Sequence, residues 1–308
     1  MTKIFIDGSA GTTGLRIYER LESRKDIELI RLSEENRKDI NARKTALNQA
    51  DIAFLCLPDA AAVEAVSLAE NGNTVIIDTS TAHRTNPDWA YGFPELSAER
   101  EQKIAVSKRI AVPGCHASGF ISLVFPLIKA GILDKNTLLT CFSVTGYSGG
   151  GKKMIAEYES ENRDPLLSAP RQYGIAQNHK HLPEMTAVCG LENQPMFSPV
   201  VADFYSGMTV TVPLFKAQIK GTAEDIKKIY KEKYNGSVVK YKEEFDESGF
   251  VSANRLTGKD SMEISVSGNE ERILLISRYD NLGKGASGAA VECMNIVMGV
   301  NKTTGLEL

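Results

Sequence analysis

The sequence predicts an α/β protein: a parallel-sheet domain over residues 1–114, then an α+β domain with a mixed sheet over residues 115–284. Three observations carry this. The chain has 308 residues, more than one hydrophobic core usually serves. Its first part alternates short apolar strand patterns with helical patterns, the mark of βαβ units. Farther on, strand patterns over 199–219 and 250–278 flank one strong helical pattern, a grouping that suits a mixed sheet. A last apolar helix, about 285–301, is rich in small residues and is expected to pack back on the first domain.

Composition narrows the function classes. Hydrophobic residues make up 42% and charged residues 24%, as in ordinary soluble domains. A net charge of −3 offers no general attraction for nucleic acid or an anionic membrane. No apolar run reaches the roughly 18 residues of a membrane span. Met1 to Asp7 goes straight into a strand pattern, so no signal peptide is expected. The 5 cysteines are widely spaced with no CxxC pair, which argues against a disulfide framework or a zinc site and fits a reducing cytoplasm.

The elements follow in order. Lys3–Asp7 reads as a strand, and Gly8, Gly11 and Gly14 follow at every third position before the helical spacing of Leu15 to Leu21. Strand, glycine turn and helix form the phosphate cradle of a dinucleotide fold. A plain tight turn is the alternative, and the position after the first strand favours the cradle. A second strand is expected over Ile27–Leu32. Arg31 and Ser33 at its end suit a ribose 2′-phosphate, hence NADP, whereas Glu34 suits a free 2′-OH. Ala50 to Pro58 is a buried strand, Asp59 is a cap for a helix over Ala60–Glu70, and Asn71-Gly72 ends it. The strand Thr74–Asp78 leads into Thr79-Ser80-Thr81-Ala82-His83-Arg84. Ligands of open parallel sheets bind at the carboxyl ends of strands, so Arg84 is placed to grip an anion; a surface ion pair is the alternative. Tyr91–Leu96 reads as a loop, and Ile104–Val112 carries the chain to Cys115.

Pro113-Gly114-Cys115-His116 precedes an apolar run from Phe120 to Ile128, which reads as a buried helix. Cys115 then stands where a helix begins. Unpaired backbone N–H groups and the positive end of the dipole stabilise a thiolate there. The alternative is a small buried cysteine. Leu138–Thr145 is a strand pattern running into Gly146-Tyr147-Ser148-Gly149-Gly150-Gly151-Lys152-Lys153, either an anion nest or a flexible turn. Residues 154–198 show little periodicity and read as a long functional loop. Within it His179 and His181 share a face if the backbone is extended. The pair could bind a metal, but no third ligand is evident, so none is expected. The one strong helix has Thr222 as cap, Glu224 and Asp225 in its first turn, Ile226, Ile229 and Tyr230 on its buried face, and Asn235-Gly236 as its stop.

Four motifs occur in one order: Pro113-Gly114-Cys115, Thr145-Gly146-Tyr147-Ser148-Gly149-Gly150-Gly151-Lys152, His179-Lys180-His181-Leu182-Pro183-Glu184, and Asp280-Asn281-Leu282-Gly283-Lys284-Gly285-Ala286. With them the chain resembles, nearly end to end, the shorter form of the N-acetyl-gamma-glutamyl-phosphate reductase family, itself similar to aspartate-semialdehyde dehydrogenase. It departs at His116, where the longer enzymes usually carry tyrosine. The resemblance implies a Rossmann-type NAD(P)-binding domain and an α+β catalytic and dimerisation domain. It implies an NADPH-dependent reduction of N-acetyl-glutamyl 5-phosphate to the semialdehyde and inorganic phosphate, in arginine biosynthesis, through a Cys115 thioester. His181, or else His179, would move the proton, with Glu184 orienting the pair. Arg84, Ser80 and Tyr147 would bind substrate. Gly8, Gly11, Thr12, Thr13, Gly14, Arg31, Ser33 and Asn281 would hold NADP(H). A cytoplasmic homodimer or homotetramer is implied, with second-domain strands at the contact. Alternatives are a relative acting on aspartyl or acylated aminoadipyl phosphate, and a non-catalytic dinucleotide sensor.

Overall fold

The computed structural model describes all 308 residues, which divide into two compact units. One comprises Met1–Gly114 with Ala286–Leu306, the other Cys115–Gly285 with Glu307–Leu308.

In the first unit β1 (Thr2–Asp7), α1 (Thr12–Leu21), β2 (Ile27–Ile30), α2 (Ile40–Gln49), β3 (Ile52–Leu55), α3 (Asp59–Leu68), β4 (Val75–Asp78), β5 (Ala90–Tyr91), α4 (Ala98–Val106) and β6 (Arg109–Ala111) succeed one another. The strands form one parallel sheet in the order β2-β1-β3-β4-β6-β5. Its strands are apolar on both faces, as parallel strands between helix layers must be. Ile4 and Ile6 of β1 face a core shared with Ile17 and, from the C-terminal helix, Val291 and Met294. Phe5 faces the opposite core with Leu47, Ala62 and Ala65 of α2 and α3. The chain reverses direction across the sheet between β1 and β3, where such folds take their ligands.

Two expectations change here. Asp59 is the first residue of α3 and not its cap, which is Pro58. Its carboxylate instead accepts the Thr81 backbone N–H at 2.9 Å. The segment before Cys115 holds a helix, α4, capped by Ser97, ahead of the three-residue β6.

The second unit runs α5 (Cys115–Lys129), β7 (Thr140–Gly146), α6 (Gly151–Tyr158), β8 (Arg171–Gln172), α7 (Leu182–Cys189), β9 (Met196–Ala202), β10 (Met208–Phe215), α8 (Ala223–Lys233), β11 (Val239–Tyr241), β12 (Met262–Gly268) and β13 (Arg272–Tyr279). A π-helical turn, Gly283–Ser287, then leads into α9 (Gly288–Val297). The sheet is mixed, in the order β11-β12-β13-β10-β7-β9-β8. Residues 154–198 are therefore not one loop but contain α7, β8 and most of α6.

Helix α5 lies on β10 and β13 because Gly119 lets it. A Cβ there would stand 2.5 Å from Val210 Cγ2 and 2.7 Å from Ser277 Oγ. Pro126 lies inside α5 and lacks the N–H that Ser122 C=O would accept. The Tyr234 hydroxyl of the chain after α8 donates to that carbonyl instead, at 2.6 Å. The other sheet face carries exposed Phe142, Met196, Phe215 and Leu274, which the strand register places on one side.

Candidate active site

In the second unit the site starts from Cys115, the first residue of α5 and partly accessible. Its first turn is tied to the sheet by Tyr279. That hydroxyl accepts the Gly119 N–H at 3.0 Å and donates to the Cys115 carbonyl. Burial raises the Tyr279 pKa well above its usual value, so the phenol stays a donor. Gly285 closes against the cysteine: a Cβ there would meet Cys115 Cβ at 3.1 Å. That contact explains the glycine in the Asp280–Ala286 motif.

His179 and His181 are brought together, but not by extended backbone. His181 has φ −87° and ψ −13° and caps α7, and the two rings lie 4.8 Å apart in a turn. His179 Nδ1 accepts the His181 backbone N–H at 3.2 Å. That bond makes the His179 tautomer the one protonated on Nε2. Burial, with Lys180 beside it, pushes the His179 imidazole down to about 4. Glu184 is buried in the first turn of α7.

A third imidazole belongs to the cluster. The His116 ring lies 5.7 Å from that of His179 and 5.6 Å from that of His181. Its Nδ1 is 2.7 Å from Ser143 Oγ and its Nε2 is 2.6 Å from the Tyr173 hydroxyl. Burial, then the neighbouring His179 and Lys180, push it down to about 3. Tyr173, Ser143 and Tyr279 carried no local signal of this arrangement, since each meets the start of α5 only through the fold.

The remaining expected residues of this unit are spread around the end of the sheet. Asn281 is buried and fully engaged through both amide atoms: Nδ2 donates to Ser148 Oγ at 3.0 Å and Oδ1 accepts the Gly207 N–H at 2.8 Å. The Tyr147 ring stacks on Tyr158 at 4.7 Å, meets Tyr205 edge-on, and its hydroxyl lies 3.3 Å from Glu159. The glycines before Lys152 form a short 3₁₀ turn and the start of α6, so they are not a loose turn.

In the first unit Arg84 is buried and ties together the carboxyl ends of two strands. It donates to Val112 O and Thr79 O, each at 2.9 Å. Ser80 donates to the buried Asp78 carboxylate from both its backbone N–H (2.9 Å) and its hydroxyl (2.7 Å). His83 Nδ1 meets the same carboxylate at 2.7 Å, and its ring stacks on Trp89.

The glycine loop fits a dinucleotide on its own geometry. Gly8 has φ +85°, and a Cβ there would lie 2.3 Å from Cys56 O at the end of β3. A Cβ on Gly14 would lie 2.5 Å from Gly8 O, so α1 can start only this close to the loop without one. Gly11 caps α1, and Thr12 and Thr13 form its first turn, where backbone N–H groups favour phosphate. Beside the loop lies a cavity of about 370 Å³ whose lining includes Gly8, Ser9, Arg31, Glu34, Arg37 and Lys38. The Arg31 guanidinium sits 4.9 Å from the Tyr18 ring centre. Ser33 does not line this cavity, whereas Arg37 and Lys38, unassigned from sequence, do.

The comparisons agree with this division of labour. Residues 3–104 match the semialdehyde dehydrogenase NAD binding domain, and residues 115–281 match the semialdehyde dehydrogenase dimerisation domain. Over 306 residues the chain is 45% identical to the N-acetyl-gamma-glutamyl-phosphate reductases of Brucella ovis and Brucella canis, covering 96% of this chain and 99% of theirs. Among solved structures, aspartate semialdehyde dehydrogenase II of Vibrio cholerae matches with a TM-score of 0.72 at 17% identity, covering 97% of this chain and 98% of that one. The enzyme of Francisella tularensis matches with 0.73 at 15% identity, covering 97% and 100%. Those two likenesses are of fold. With a cysteine opening a helix, a glycine cradle after the first strand, and relatives this similar along nearly the whole length, the chain belongs to the N-acetyl-gamma-glutamyl-phosphate reductase family of semialdehyde dehydrogenases.

Proposed function

We propose that this chain reduces N-acetyl-L-glutamyl 5-phosphate to the 5-semialdehyde, releasing inorganic phosphate, as a step of arginine biosynthesis. The observation that carries the mechanism is Cys115 at the start of α5, its carbonyl held by Tyr279. The Cys115 thiolate attacks the acyl carbon, and the C–O bond to phosphate breaks with its electron pair. The product is a thioester on Cys115. The glycine loop after β1, with Thr12 and Thr13, would hold a reduced dinucleotide, which when bound would supply the hydride. His181 handles the proton on the oxygen of the sulfur-bound tetrahedral adduct, and expulsion of the thiolate frees the aldehyde. His179 holds the turn that aims His181, and Glu184 supports the base of α7. In the first unit Arg84 braces the strand ends at which the substrate's anionic groups bind, and Ser80 serves the same group; in the second unit Tyr147 serves substrate binding. Asn281 holds the Ser148 and Gly207 segments in register for the nicotinamide.

The dinucleotide is NADP(H). Arg31, Arg37 and Lys38 line the cavity beyond β2, and three cations suit a 2′-phosphate. The exposed apolar sheet face supports a homo-oligomer formed through the second unit. Five unbridged cysteines fit a reducing cytoplasm, and no helix is long and apolar enough to cross a membrane.

The direct test runs the reaction backwards. Wild type with N-acetylglutamate semialdehyde, phosphate and NADP should form NADPH, faster than with aspartate semialdehyde and faster than with NAD. Cys115→Ser should lose at least about 10³-fold in turnover while still binding NADPH. Preference for aspartate semialdehyde, or a serine variant close to wild type, defeats the reading.

A further inference from the structure

Ser143 on β7 is fully buried, and its hydroxyl has one hydrogen-bond partner, His116 Nδ1 at 2.7 Å. A buried hydroxyl proton without an acceptor is costly, because it has given up water and gained nothing. The favoured arrangement therefore has Ser143 donating and Nδ1 accepting. The buried His116 ring is neutral, so its proton sits on Nε2 and is donated to the Tyr173 oxygen at 2.6 Å. That leaves the Tyr173 hydroxyl accepting from His116 with its own proton available to donate elsewhere. Tyr173 follows β8, is only partly buried, and lies near enough to Cys115 for the sulfur's charge to raise its pKa, after burial. The phenol therefore remains protonated, held on the side chain next in sequence to Cys115.

We propose that Tyr173 donates a hydrogen bond to the oxygen of the acyl group carried on Cys115, and that Ser143 and His116 aim it. Tyr173 is then a catalytic residue, and Ser143 and His116 are positioning residues. This rests on Cys115 as the nucleophile. When the thiolate adds to a carbonyl, the C=O pair moves onto oxygen, and the Tyr173 O–H stabilises that charge without giving up its proton. Collapse re-forms C=O and expels the leaving group. A donor aimed at such an oxygen is worth about 10²–10³ in rate.

The test uses the full chain and p-nitrophenyl acetate, whose acylation of Cys115 passes through the same oxyanion and releases p-nitrophenolate without any dinucleotide. Iodoacetamide alkylation of Cys115 is the control, since displacement at its CH₂ forms no oxyanion. Tyr173→Phe should slow the p-nitrophenolate burst about 100-fold and leave alkylation within about 2-fold. His116→Leu should slow the burst in the same way, and His116→Gln, whose amide N–H can reach the phenol, should recover much of it. An unchanged burst in Tyr173→Phe overturns the proposal, as does an equal fall in burst and alkylation. Equal bursts in the Leu and Gln variants overturn the relay. A wild-type burst without turnover of the semialdehyde defeats the substrate reading and leaves Tyr173 to be judged on the burst alone. A wild type with no burst overturns the Tyr173 proposal and leaves the substrate reading to the semialdehyde assay.

Discussion

His179 and His181 sit two residues apart in different surroundings. His179 spends Nδ1 on the backbone N–H of His181, and burial keeps it neutral. A proton on Nδ1 would break that bond and loosen the start of α7. With its pKa pushed down to about 4, His179 does not change charge between about pH 5 and 8. Any limb of kcat/KM in that window therefore belongs to other groups, with His181 the imidazole assigned to the proton. We predict that His181→Asn lowers kcat/KM about 10²–10³-fold and flattens the limb. His179→Asn should keep the limb and lose less than about 10-fold, because the Asn oxygen can accept the same N–H. A pH–rate profile of both variants decides; a limb lost in His179→Asn alone reverses the assignment.

At the scale of the element, two glycines of left-handed conformation show what a turn costs. Gly8 has φ +85° and a Cβ path blocked by the Cys56 carbonyl, whereas Gly72 has φ +66° and nothing within 4 Å. Gly72→Ala should therefore cost only the conformational penalty, about 1 kcal/mol. Gly8→Ala adds displacement of the β3 end and should cost more than about 2 kcal/mol, with NADPH binding lost. Denaturant midpoints and NADPH fluorescence measure both. Equal costs would mean the loop has room to move. Helix α8 represents the opposite case. Its Thr222–Asp225 capping box acts within four residues, and its expected start held to the residue.

For the whole molecule, we infer that the open face of the second sheet is where copies of this chain meet. Phe142, Met196, Phe215 and Leu274 are 47%, 63%, 65% and 39% exposed on one side of it, and a contiguous apolar patch of this kind marks an interaction site. A second copy covering this face gives a dimer. Light scattering of the wild type should report a dimer or larger, and a Phe142→Glu, Leu274→Glu variant should shift toward monomer with its circular dichroism unchanged. A wild-type monomer at micromolar concentration, or a variant of unchanged mass, excludes this face as the contact.

The sequence by itself determined what depends on neighbours along the chain. It carried the βαβ alternation, the glycines after β1, the cysteine opening α5, and the capped α8. Each is written within a few residues, in backbone conformations and caps that need no distant partner. The tertiary structure decided the rest. Helix α4 buries only Ile104, and α7 is eight residues long with Pro183 in its first turn, so neither shows a helical period. Helix α6 hides behind a glycine run whose Gly151 takes φ +71°. The His116 relay joins residues 27 and 57 positions apart. A lone tyrosine, a strand serine and a histidine beside the nucleophile are ordinary until folding buries the serine and the histidine and brings the tyrosine to them. Burial then leaves each polar group only the partners the fold provides, and those partners determine where the protons sit.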